Sequence, residues 1–99
     1  MIKINVGYHG TSIRYLKVEG HANYDEYGKD IVCAGVSSIV TGALNNLDVK
    51  NFKIQMNDGL VEIEVKGELT THDEVVLETI LVQLQTMAES YPKFIKIIK

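Results

Sequence analysis

The sequence has a single cysteine, Cys33, so no disulfide can close within the chain, and a metal centre would have to be built from histidine and carboxylates around one thiol. None of the three histidines stands at a ligand spacing from another; His9 falls in a surface turn and His72 in the first turn of a helix, so no metal and no cofactor is expected. No stretch approaches the ~20 apolar residues that cross a bilayer. The opening Met1-Ile2-Lys3-Ile4-Asn5-Val6 reads as a strand and not as an apolar signal region, so a cytoplasmic protein with no membrane partner is expected. An excess of basic residues is also missing. Lys and Arg number 10 against 13 Asp and Glu, a formal net charge of -3, which argues against direct binding of nucleic acid through its phosphates. Repeats, linkers and low-complexity segments are absent. What remains is an ordinary globular composition, 45% hydrophobic and 23% charged, over 99 residues, which fits one domain spanning residues 1–99.

Ile2, Ile4 and Val6 alternate with Lys3, Asn5 and Gly7, the period of a half-buried strand. A turn at His9-Gly10-Thr11-Ser12 leads to a second strand, Ile13 to Glu19, closed by Gly20. The segment from His21 to Lys29 has neither helical nor strand period and reads as a long loop. From Ile31 to Leu47 no residue is charged, which predicts a buried central helix capped by Asp30. Its β-branched residues favour a strand, but the run is far longer than the ~5–6 residues of a typical strand. Gly35 and Gly42 within it are expected to admit close backbone approach by a neighbour. Asn57-Asp58-Gly59 between Phe52–Met56 and Leu60–Val65 is a hairpin signature. Thr71-His72-Asp73-Glu74 matches a capping box, followed by Val76, Leu77, Ile80, Leu81, Leu84, Met87 and Ala88 at helical spacing up to Tyr91-Pro92. Phe94–Ile98 supplies a last strand. The order ββαββαβ predicts the α+β class, a small mixed or antiparallel sheet with one buried helix and one amphipathic helix.

Two segments carry chemistry: Gly20-His21-Ala22, and Gly28-Lys29-Asp30-Ile31-Val32-Cys33-Ala34-Gly35-Val36-Ser37. With Asp30 as cap, Cys33 lies in the first helical turn, where unpaired N–H groups and the dipole favour a thiolate and offer donors for an oxyanion. His21, at the end of the second strand, is placed to take the thiol proton and return it to a leaving amine. Each residue has a plainer reading as well. A free cysteine is commonly a small buried hydrophobe. Asp30 either caps the helix or orients His21 as a third member. Ser37, four residues after Cys33 on the same helix face, bonds near the thiol or returns to the backbone. Gly20 and Gly28 are candidate hinges of the loop, while Tyr24 and Tyr27 either line a substrate groove or pack within the loop.

Taken together, the two segments resemble the signature of the ribosomal-processing cysteine protease family (Prp), in the right order and with the twelve-residue step from His21 to Cys33. The similarity extends along the chain, including Leu84-Gln85-Thr86-Met87, with Gly35 standing where many members carry Ala. The resemblance implies a bacterial cysteine endopeptidase that removes the short N-terminal extension of a large-subunit ribosomal protein, the twenty-seventh of the L series, by cleaving after a Phe. It implies Cys33 as nucleophile, His21 as general base, Asp30 and Ser37 in support, and Gly20, Ala22, Tyr24, Tyr27 and Gly28 in or beside a loop that closes over substrate. A homodimer is also implied, which the uncharged central helix suits. A non-catalytic, ribosome-associated binding module is the alternative.

Overall fold

The computed structural model describes all 99 residues. The elements follow as β1 (Ile2–His9), β2 (Ser12–Glu19), α1 (Ile31–Leu44), β3 (Phe52–Asn57), β4 (Leu60–Val65), α2 (Thr71–Ser90) and β5 (Ile95–Ile98), with one 3-10 turn at Val49–Asn51. The α+β class and the ββαββαβ order agree with the sequence reading. The five strands form one sheet in the order β3-β4-β2-β1-β5. Each hairpin is antiparallel, β2 pairs β4 antiparallel, and β5 returns parallel to β1 after the α2 crossover. A register shift at Gly7/Tyr8 leaves Arg14 unpaired in β2, so the buried positions of that strand change from Ile13 to Leu16 and Val18. The Arg14 guanidinium then reaches the Gly67 carbonyl at 3.0 Å.

One core holds the layers together. Ile2, Ile4 and Val6 of β1, Leu16 and Val18 of β2, and Ile63 and Val65 of β4 share it with Val32, Val36 and Val40 of α1 and Leu77, Ile80, Leu81 and Leu84 of α2. Ile4, Leu16 and Leu84 are fully buried, each contributing about 1.5–3 kcal/mol by removal from water. The opposite sheet face carries a polar ladder, with Lys17 opposite Glu62 and Lys53 opposite Glu64. There the Tyr15 hydroxyl donates to Glu62, and that bond, with some desolvation and the surrounding carboxylates, raises the phenol to about 12.

The helices depart from the sequence reading in three respects. First, α1 is not buried all round. Its inward stripe is Val32, Val36, Val40 and Ala43, while Ile31 is 57% exposed and Ser38, Thr41 and Gly42 face outward. Absence of charge reflects small neutral residues on the outer face, not burial of that face. The helix also stops at Leu44, and Leu47 is buried from the turn beyond it. Second, neither helical glycine admits a neighbouring backbone: a Cβ at Gly35 would meet the Met87 side chain, and one at Gly42 would meet nothing within 4 Å. Third, α2 is capped one residue earlier than the capping box predicts. The Thr70 hydroxyl accepts from the Asp73 N–H at 3.1 Å, and Glu74 is drawn away to accept from the Ser12 hydroxyl at 2.9 Å. Asp73 is buried, and its Oδ1 accepts from the Asp48 N–H at 3.1 Å, joining the start of α2 to the chain entering β3.

Candidate active site

Asp30 organises the segment that carries the candidate chemistry. Its Oδ1 accepts from the Val32 and Cys33 N–H groups at 2.9 and 3.0 Å, capping α1, and its Oδ2 accepts from Tyr24 and Asp25 at 2.9 and 3.3 Å, holding the loop before the helix. Desolvation opposes the charge on Asp30, but the donors of Cys33, Tyr24, Asp25 and Val32 together outweigh it and hold the carboxyl below its ordinary range. With both oxygens engaged by backbone, the carboxylate acts as a cap and loop anchor, and it makes no ion pair with His21 within 4.0 Å. The same bonds alter the oxyanion expectation. Two of the helix-start donors, Val32 and Cys33 N–H, are already taken by Asp30.

Cys33 is partly buried in the first turn of α1. Its Sγ lies 3.3 Å from the backbone nitrogen of Ala22, which donates to it from the residue after His21. Ala22 is itself buried, so this donor is held by the core. His21 is exposed, and its carbonyl accepts from the Met1 ammonium at 2.6 Å. Just before it, Gly20 has φ +94 and a backbone so close to Met1 that a Cβ would stand 2.5 Å from the Met1 carbonyl oxygen. No other residue type fits that approach.

His21, Cys33, Asp30 and Ser37 all line one cleft of about 620 Å³. Its walls are α1 on one side and the β3–β4 hairpin, from Met56 to Val61, on the other, with the loop at its mouth. Gly20, Tyr27 and Gly28 also line it, Tyr27 being 89% exposed. Tyr24 turns away from the cleft and packs edge-to-face on Tyr91 and Phe94, at centroid distances of 5.6 and 5.2 Å. No group of three or more His, Cys, Asp or Glu residues is arranged to hold a metal ion.

A thiol and an imidazole in one cleft invite comparison with proteins of known chemistry. The family model for the cysteine protease Prp matches residues 1–96. The chain belongs to the Prp family. It is 36% identical over 85 residues to the ribosomal processing cysteine protease Prp of Staphylococcus aureus, covering 81% of this chain and 80% of that one. To Prp of Mycoplasma genitalium it is 37% identical over 98 residues, 98% and 94% of the two chains. A crystal structure of the essential S. aureus Prp with a covalently linked product peptide aligns at TM-score 0.91 and 29% identity, covering 99% of this chain and 98% of that one. A second, with a substrate peptide, aligns at TM-score 0.79 and 28% identity, over 98% and 97%. The chain is therefore a cysteine protease of the ribosomal-processing kind.

For this Prp-family chain, reading the sequence missed the wall of the cleft opposite the thiol. Asn57, Asp58 and Gly59 announce a tight turn, and nothing in their spacing from His21 says that the turn closes the cleft beside it. The Ala22 N–H was equally hidden, because a backbone donor has no residue-type signature. The one available signal was that a small, buried residue follows His21 directly.

Proposed function

We propose that this chain removes the short N-terminal extension of a large-subunit ribosomal protein, the twenty-seventh of the L series, by covalent catalysis on Cys33 with His21 as general base. One observation carries the reading: the only thiol of a cysteine protease lies in a cleft that it shares with an imidazole. The cap formed by Asp30 occupies the Val32 and Cys33 N–H groups, so the backbone donor left to the sulfur is the Ala22 N–H, and His21 supplies the base. His21 takes the Sγ proton as sulfur attacks the scissile carbonyl carbon. The carbonyl oxygen becomes an oxyanion beside the Ala22 N–H, already aimed at the sulfur. His21 then gives its proton to the leaving amine, the C–N bond breaks, and a thioester remains. Water, deprotonated by the same imidazole, releases the extension and restores the thiol. Ser37 supports from the helix face, and the loop held by Asp30 closes over the peptide.

Two further features suit such a substrate. Asp25, Asp30 and Asp58 line the cleft and no Lys or Arg does, so a basic ribosomal-protein segment meets complementary charge. Crystal structures of the S. aureus relative hold a substrate peptide and a covalently linked product peptide. We further propose a homodimer formed through the uncharged outer face of α1, where Ser38 and Gly42 border a groove shared with Val75 and Thr79 of α2. The enzyme would act in the cytoplasm, on newly made ribosomal protein.

The test is incubation with a peptide spanning the extension and the mature start, with the cut located by mass spectrometry. A single cut after Phe, lost in Cys33→Ala, is expected. Unchanged cleavage by Cys33→Ala would contradict the mechanism, and an intact peptide beside cleavage of other peptides would contradict the substrate.

A further inference from the structure

Gly59, the last residue of the β3–β4 turn, lies against the His21 side chain. A Cβ at this position would stand 2.9 Å from His21 Nε2, 3.4 Å from Cε1 and 3.6 Å from Cδ2. The first is closer than non-bonded carbon and nitrogen tolerate, so the imidazole occupies space that only a glycine leaves open. The turn is also tied to the backbone leading into His21, since the Gly20 N–H donates to the Gly59 carbonyl at 2.9 Å. Both residues line the cleft that holds Cys33. His21 is otherwise exposed, and an exposed imidazole on two free torsions has little else to fix its direction.

We infer that the β3–β4 turn, through Gly59, is a positioning element that holds the His21 imidazole against one wall of the cleft for its work on Cys33. The glycine serves two ends. Its φ of +71 lets the hairpin turn, and its missing Cβ lets the ring lie on the turn. A side chain added there is relieved most easily by swinging the exposed ring away, not by unfolding the hairpin. The damage therefore falls on proton transfer. The inference rests on the reading of His21 as general base and adds the element that aims it.

The fold supplies a control for backbone strain. Gly10, in the β1–β2 turn, has φ +62 and nothing within 4 Å of where its Cβ would be, so Gly10→Ala imposes the same conformational cost with no ring to displace. The readouts are the rate at which iodoacetamide alkylates Cys33 across pH, and kcat and KM for the extension peptide. Gly59→Ala is expected to slow alkylation at pH 7 at least fivefold and to lower kcat at least tenfold, with KM changed less than threefold. The alkylation rates converge at alkaline pH, where hydroxide removes the thiol proton without help. Gly59→Asn, which tolerates positive φ while adding the same Cβ, should match Gly59→Ala. In a His21→Ala background, Gly59→Ala should change alkylation by less than twofold. The inference is overturned if Gly59→Ala behaves like Gly10→Ala, if its effect persists in full without His21, or if both Gly59 variants fail to fold while Gly10→Ala folds. Failure of the general-base reading is separate: His21→Ala would then alkylate and cleave as fast as the parent.

Discussion

Replacing Gly35 by Ala tests how α1, which carries the thiol, is seated on α2. A Cβ at Gly35 would lie 2.7 Å from Met87 Cε and 3.2 Å from Met87 Sδ, with no backbone atom among its nearest contacts. Two terms of similar size compete. Alanine in a helix interior is better than glycine by about 0.8–1.0 kcal/mol. Against this, the Met87 methyl must retreat by several tenths of an ångström, and a terminal torsion forced from its well costs about 0.5–1.5 kcal/mol. The net change is expected within about 1 kcal/mol of zero, because a flexible thioether end yields where a backbone would not. In a Met87→Ala background the obstruction is gone, and Gly35→Ala should stabilise by about 1 kcal/mol. Urea denaturation of the four proteins measures both effects, with an expected coupling of roughly 1 kcal/mol between the two sites. Cleavage should be unchanged in Gly35→Ala, since the residue is not part of the cleft wall. A loss above about 3 kcal/mol in both backgrounds, of the size of a forced core rearrangement, would mean that the helices meet through backbone and not through the Met87 side chain.

Asp30 and Tyr15 give pH signatures of opposite sign. The Asp30 carboxyl is held below the ordinary carboxylate range in the folded state, so its contribution is present above the unfolded value and is lost as pH falls through the folded one. Amide exchange of Val32, Cys33, Tyr24 and Asp25 should therefore stay slow until pH drops below the usual carboxylate range, and Asp30→Ala should expose all four at neutral pH. Tyr15 is raised to about 12, so its contribution is complete below the unfolded value of ~10 and disappears as pH climbs through 12. Absorbance titration should show a last-ionising tyrosine that is missing in Tyr15→Phe and moves down in Glu62→Gln.

Local chemistry made most elements legible. The Asn57-Asp58-Gly59 turn, the alternation in β1 and β4 and the apolar spacing of α2 each stem from interactions a few residues apart, and each is where the sequence places it. The long-range arrangement was not legible. Nothing local makes β1 interior to the sheet or brings β5 back parallel to it, because strand order is fixed by which faces bury together. For α1, lack of charge predicts burial, whereas Val32, Val36, Val40 and Ala43 alone form the inward stripe and the outer face is merely small and neutral. The shared cleft of His21 and Cys33 was suggested by the family signature, not by their spacing. The parts supplied by backbone, the Ala22 N–H on Sγ and the Gly59 turn beside His21, have no residue-type pattern from which to read them.

Rapid-quench mass spectrometry of the enzyme mixed with an ester analogue of the extension peptide tests the covalent mechanism most directly. An acyl adduct on Cys33 is expected within a turnover, forming about 10²–10⁴-fold more slowly in His21→Ala, the span general acid–base help usually supplies. Hydrolysis of the ester with no adduct on Cys33, or an adduct that forms as fast without His21, would contradict it.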